Sequence, residues 1–213
     1  MESNTNKFWT IPNIITLSRI VMIPFFVWTF LDGRVGHLIA ALVIVILSGI
    51  SDKADGIVAR KFNMISDTGK WLDPLADKLT QVALCIVMFV AFFSAEDPGM
   101  RFVAWVFMGY VGKEIFMLLF ALGMMMMKIT PSAAEIWGKV ATLIFYIVMS
   151  VLLFAGPEVG ILARAFGDHV ALPPLAVQIM AVVTLAATVI SFFGYIPDTY
   201  RKIMKRENSK IEE

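Results

Sequence analysis

The chain of 213 residues is 59% apolar and only 16% charged, against roughly 25% in soluble domains, and its mean hydropathy is +0.79. Such hydrophobicity excludes a disordered chain, and a net charge of +1 gives no basic field for nucleic acid, so no nucleic-acid partner is expected. The single cysteine, Cys85, excludes an internal disulfide framework.

Apolar stretches of about 17–25 residues mark membrane-crossing helices, and six are predicted here. Residues 1–10 lack the basic n-region of a signal peptide and no small-residue cleavage site follows, so the first span, Ile11–Leu31, is read as a retained anchor. Asp32-Gly33 separates it from the second, Val35–Ala59, and a short polar loop leads to the third, Trp71–Phe93. Glu96-Asp97-Pro98-Gly99 precedes the fourth, Phe102–Met127, and Thr130-Pro131 the fifth, Ala134–Ala155. Gly156-Pro157 and Pro173-Pro174 bound the connection to the sixth, Leu175–Ile196. Met124–Met127 reads as adaptable packing or lipid-facing surface, since no Cys or His stands beside it. The tryptophans fall mostly near span ends, where they anchor at the interface. No internal repeat is visible, so residues 1–213 form one all-α integral-membrane domain, a bundle of six transmembrane helices.

Lysine and arginine set the orientation. With both termini on one side, that side carries ten cations: Lys7, Arg60, Lys61, Lys70, Lys128, Arg201, Lys202, Lys205, Arg206 and Lys210. The other carries three, Arg34, Arg101 and Arg164. The positive-inside rule then makes both termini cytoplasmic, with 197–213 a basic tail suited to an anionic lipid surface or to a plain inside anchor. His37 and His169 fall in outer loops as surface residues.

The remaining five cations, Arg19, Lys53, Lys78, Lys113 and Lys139, lie in or beside spans together with Asp52, Asp55, Asp73, Asp77, Glu114 and Glu135. Each such group costs about 2.5–3.5 kcal/mol at the bilayer centre, so something must compensate them, and intramembrane charge points to function. Asp52 and Asp55 are i,i+3 near the cytoplasmic end of the second span, and Asp73 and Asp77 are i,i+4 near the start of the third. Each pair shares a helix face. The two helices, joined by a short polar loop, are expected to be antiparallel neighbours, so that all four carboxylates can converge in a cytoplasm-facing cavity roughly 5–15 Å below the membrane boundary at 1.5 Å rise per residue. Like charges that close raise one another's pKa, and hard divalent cations, Mg²⁺ or Mn²⁺, two of them on charge grounds, are the natural remedy. No Cys or His joins the cluster, which argues against zinc or copper. Gly56, Ala59, Arg60, Ser66 and Gly69 lie between the pairs. Small residues admit a bulky group to the backbone and Arg60 offers a planar fork for phosphate; the alternative makes Gly56 and Ala59 helix-packing contacts and Arg60 an inside anchor.

The pattern Asp52-x2-Asp55-Gly56-x2-Ala59-Arg60-x8-Gly69-x3-Asp73-x3-Asp77 resembles, at every fixed position, the signature of the CDP-alcohol phosphatidyltransferases. The opening Ile11-Pro12-Asn13-Ile14-Ile15-Thr16-Leu17-Ser18-Arg19 looks like that family's first span. Leu72-Asp73-Pro74-Leu75-Ala76-Asp77-Lys78 is most similar to the phosphatidylglycerophosphate synthase and eukaryotic-type cardiolipin synthase branches. The resemblance implies transfer of a phosphatidyl group from CDP-diacylglycerol to an alcohol with release of CMP, in a homodimer set in a bacterial-type plasma (inner) membrane. It makes Asp52, Asp55 and Asp73 metal ligands and Asp77 both ligand and general base. Gly56, Ala59, Arg60, Ser66 and Gly69 would hold CDP-diacylglycerol, with Thr16 a further candidate.

Glycerol 3-phosphate is the expected acceptor, because its phosphate asks for extra cations and Lys113 and Lys139 lie in spans able to supply them. Related synthases show Arg-Glu and Gly-Lys-x-Lys-Thr at the corresponding places; this chain has Lys113-Glu114 and Gly138-Lys139-Val140-Ala141-Thr142, with Ala141 replacing the second lysine. A structural role would instead pair Lys139 with Glu135 at i,i+4 and Lys113 with a carboxylate across the bundle, and Glu114 reads as a salt-bridge partner. Other acceptors, phosphatidylglycerol (giving cardiolipin) and inositol phosphate, remain open. Two readings outside the family are weighed. Buried carboxylates also line the path of a cation or proton transporter, but transporters place their sites near the midplane between repeated halves. Asp-x2-Asp also suggests prenyl-diphosphate chemistry, which shares metal-bridged diphosphate binding, but the second Asp-x3-Asp and the intervening Gly56, Ala59 and Arg60 fit the CDP-alcohol reading better.

Overall fold

A backbone crossing lipid must satisfy its polar groups within the segment or in a closed barrel. The computed structural model accordingly contains helices and no strand among the residues it describes, 10–61, 67–126 and 136–211; within these, the side chains of 52–61, 67, 68, 70, 71, 74, 121, 122, 124–126, 136 and 195–211 are not described. The long helices are α1 (Ile11–Asp32), α2 (Val35–Lys61), α3 (Asp67–Phe93), α4 (Pro98–Met126), α5 (Ile136–Ala155) and α7 (Pro174–Ile211), with the short α6 (Ile161–Phe166) between the last two. Among the described residues, α1, α3, α4, α5 and α7 provide five helical stretches long and apolar enough to cross a membrane. The apolar part of α2 is shorter, Val35–Ser51, and leads into Asp52, Lys53 and Asp55.

Local chemistry explains the helix ends. The Thr10 hydroxyl accepts from the Asn13 N–H at 3.4 Å to cap α1, and Gly33, at φ 68°, closes it through an N–H bond to the Phe30 carbonyl at 3.1 Å. The fourth helix begins at Pro98 rather than Phe102, because proline suits the first helical position and the Asp97 carboxylate accepts from the Gly99 N–H at 2.8 Å. The final helix does not end near Ile196: it runs on to Ile211 through a segment with two Arg and three Lys, good helix formers, so 197–211 is helical.

The connection after α5 holds α6 and a 3₁₀ turn, Asp168–Val170, rather than plain loop. Glu158 has φ 62° there, and the Val159 N–H donates to the Pro157 carbonyl at 2.7 Å, a γ-turn of the rarer, strained hand. Burial, followed by the nearby Asp168, Glu96 and Asp97, holds the Glu158 carboxyl above its ordinary range. A raised acid pKa means stability lost as pH climbs from the unfolded value through the folded one. Glu158→Gly removes both the left-handed strain and the charge, and is expected to stabilise by about 0.5–1 kcal/mol after allowing for glycine's larger unfolded entropy. Melting curves should show the larger gain near neutrality than at about pH 4.

The six long helices close into a ring in the order α1, α2, α5, α7, α4, α3, returning to α1. This corrects the expectation that α2 and α3 are antiparallel neighbours: among the described residues they meet only slightly, and α1 lies between them. The cause is visible on α1, whose buried face, Asn13, Thr16, Arg19, Phe26 and Phe30, follows helical spacing and gives both helices a surface to pack on. Inside the ring Met88, Phe92, Phe107, Tyr110, Phe145, Met149 and Leu152 form the core. A Cβ on Gly49 would stand 3.0 Å from the Tyr146 ring, so α2 and α5 meet through a small residue, as membrane helices commonly do. Phe25, Trp28, Leu31, Ile50, Phe116, Leu119 and Ile190 are exposed on the outside, where lipid is their solvent.

Candidate active site

The N-terminal part of α1 packs against that of α3, which brings Thr16 to Asp73. The fully buried Thr16 hydroxyl lies 3.1 Å from the Pro12 carbonyl and hydrogen-bonds the Asp73 carboxylate; its one proton serves one acceptor at a time. Thr16, expected at the nucleotide, is therefore placed as a partner of Asp73. One turn further along α3, Asp77 accepts through both oxygens from Gln81 Nε2, at 3.0 Å each. Both aspartates are half-buried, and Arg19, on the same face of α1 as Thr16, is 1% exposed.

A second cluster joins α3 to α4. Glu114, 1% exposed, receives Lys78 Nζ at 2.7 Å and is also paired with its neighbour Lys113. Glu114 is thus the expected salt-bridge partner, but the cation reaching across the bundle is Lys78, while Lys113 pairs within its own helix. Lys113 also stands 5.0 Å over the Tyr110 ring, a cation–π contact. Two ammonium groups share one carboxylate, leaving a net positive charge beside the aspartates. Lys139 is exposed on α5; its expected partner Glu135 lies outside the described residues.

Gly69 is buried at the start of α3. Asp52, Asp55, Gly56, Ala59 and Arg60 lie on the last turns of α2, with side chains outside the described set, and Ser66 lies outside the described residues altogether. Among the described residues no three His, Cys, Asp or Glu side chains gather as a metal site. The donor chemistry nonetheless suits a hard divalent cation: Asp73 and Asp77 present oxygen only, and each is steadied by a neutral donor that leaves its negative charge in place.

Sequence reasoning missed Gln81 and Tyr110, whose hydroxyl donates to Gln81 Oε1 at 3.2 Å. The signal was present in the i,i+4 spacing of Asp77 and Gln81, a pair that bonds along a helix.

Helices apolar enough to span a bilayer, carrying charged clusters between them, define a membrane protein, and comparison makes it a transferase of phospholipid biosynthesis. Residues 9–193 match the CDP-alcohol phosphatidyltransferase family, and the chain belongs to it. It is 28% identical over 195 residues to a CDP-diacylglycerol–glycerol-3-phosphate 3-phosphatidyltransferase of Aquifex aeolicus, covering 92% of this chain and 98% of that protein. The Bacillus subtilis protein of that name is 32% identical over 177 residues, 75% of this chain and 84% of the relative. A cardiolipin synthase (CMP-forming) of Streptomyces coelicolor is 42% identical over 78 residues, so the chain spans only 36% of that relative's length.

Proposed function

We propose that the protein transfers the phosphatidyl group of CDP-diacylglycerol to glycerol 3-phosphate, giving phosphatidylglycerophosphate and CMP. The observation that carries this reading is the family signature on the ends of α2 and α3, with Asp73 and Asp77 on one face of α3. Similarity over 92% and 75% of the chain to two proteins named for glycerol 3-phosphate favours that acceptor. A phosphatidylglycerol acceptor, giving cardiolipin, is the second reading, favoured by the stretch of higher identity to a cardiolipin synthase.

In this mechanism an acceptor hydroxyl attacks the phosphatidyl phosphorus, the new P–O bond forms as the bond to CMP breaks, and CMP leaves with the electron pair. Asp77 takes the hydroxyl proton; a carboxylate is a weak base toward an alcohol and helps because it is held close while the proton becomes acidic. Asp52, Asp55, Asp73 and Asp77 would hold two divalent ions, Mg²⁺ or Mn²⁺, which supply neutralisation of the diphosphate and of the charge growing on CMP. Gly56, Ala59, Arg60, Ser66 and Gly69 receive the CDP portion, and Thr16 acts through Asp73. Lys113 contributes its charge to the acceptor phosphate, together with Lys139 on α5.

The protein on this reading crosses the inner membrane six times, α2 included, as a homodimer with both termini and the cavity cytoplasmic. That placement keeps CDP and glycerol 3-phosphate in water while the acyl chains stay in lipid. The test is CMP release from CDP-diacylglycerol by the detergent-purified protein, with Mg²⁺ or Mn²⁺ and each alcohol in turn. Release should require both metal and glycerol 3-phosphate. Release with phosphatidylglycerol instead would move the acceptor, and no release with any alcohol would overturn the reading.

A further inference from the structure

Gln81 sits on α3 and is 1% exposed. An amide buried in such a place is expensive unless its donors and acceptor are met. Here they are met in a directional way. A carboxylate only accepts, so the amide nitrogen faces Asp77 and touches both oxygens at 3.0 Å, while Oε1 accepts from the Tyr110 hydroxyl at 3.2 Å. Tyr110, 2% exposed, is itself held between the Phe145 ring, with centroids 4.8 Å apart, and the Lys113 ammonium.

We infer that Gln81 and Tyr110 are positioning residues for the reaction, a hydrogen-bonded arm from α4 that fixes the plane of the Asp77 carboxylate. One amide bound to both oxygens restrains rotation about the Cβ–Cγ bond. The inference rests on the role given to Asp77 under the proposed function. It also explains why the amide is oriented by a tyrosine from another helix: with Oε1 engaged, the side chain cannot turn its oxygen toward the carboxylate. A simple interhelical glue would be satisfied by the Gln81–Tyr110 bond alone and would not need the aspartate.

The test compares Gln81→Met, Tyr110→Phe, the double variant and Asp77→Asn in CMP-release kinetics and melting temperature, in detergent with Mn²⁺ titrated. Gln81→Met should lower kcat, or raise the half-saturating Mn²⁺, by about tenfold, as loss of an outer partner of a ligand does, with KM for CDP-diacylglycerol little changed. Tyr110→Phe keeps the ring and should give a smaller change in the same direction. Because Tyr110 acts only through Gln81, the double variant should be no slower than Gln81→Met, a non-additivity that independent packing defects do not produce. Full turnover and parental Mn²⁺ dependence in Gln81→Met, alongside an inactive Asp77→Asn, would overturn this inference and leave the role of Asp77 standing. An active Asp77→Asn would remove that role and the inference with it. If Gln81→Met does not fold, Tyr110→Phe decides: lowered melting with unchanged kcat and Mn²⁺ dependence means glue, and the inference fails.

Discussion

Asp77→Asn should reduce CMP release by about a thousandfold while leaving the bundle folded, because it removes both a charge and a base without changing the shape of the side chain. The fold should survive because the asparagine oxygen still accepts from Gln81, while the half-buried position loses a carboxylate whose ionised form is costly at this depth. The comparison that matters is with Asp73→Asn. Asp73 is bonded to Thr16, a donor on α1, and has no assigned part in proton removal. Its variant should respond to added Mn²⁺, whereas Asp77→Asn should stay slow at saturating metal. Turnover near the parental rate in Asp77→Asn, with metal bound, would show that the acceptor proton leaves by another route.

The second large effect is on stability. Glu114 is the carboxylate that both Lys78 and Lys113 share, with no side-chain exposure of its own. Glu114→Ala removes it and leaves two cations facing each other across the α3–α4 interface, a change expected to cost about 3–5 kcal/mol. Thermal melting in detergent should show it directly. The triple replacement Lys78→Met, Lys113→Met, Glu114→Leu should recover most of that loss, since a buried ion cluster exchanged for apolar side chains of similar size is commonly neutral or better. Recovered melting without recovered CMP release would separate the cluster's structural contribution from its charge. An unchanged melting temperature in Glu114→Ala would show that the two lysines find water or lipid phosphate at no cost.

Much of this molecule could be read before any coordinates. Lipid imposes length and apolarity on each crossing segment, so the spans and most of their breaks stand out, and carboxylates such as Asp73 and Asp77 are conspicuous because the surroundings make them costly. What hydropathy does not carry is the identity of neighbours. A short loop between α2 and α3 suggested that they lie side by side, yet the polar and aromatic stripe on α1, from Asn13 to Phe30, draws both helices to itself. The same holds for Thr16, whose partner Asp73 is 57 residues away and becomes adjacent only through that packing. The cation that meets Glu114 across the bundle was hidden in the same way: Lys78 leaves the same helix as Asp77 on a face turned toward α4. Uncharged Gln81 raised no alarm in a hydropathy count, although its cost when buried is real. The helical continuation of 197–211 was hidden because charge ends a span without ending a helix.

The place of α1 between α2 and α3 bears on how the protein is made. Ribosomes deliver the chain from its N-terminus, so α1 is already in the bilayer when each of its two ring neighbours emerges, and each can dock on arrival without displacing the other. The Thr16–Asp73 bond can close as soon as α3 is inserted, whereas Lys78 must wait for Glu114 on α4. The α1–α3 contact is therefore the earlier of the two to form and the α3–α4 ion cluster the later, in the order in which the helices enter the bilayer.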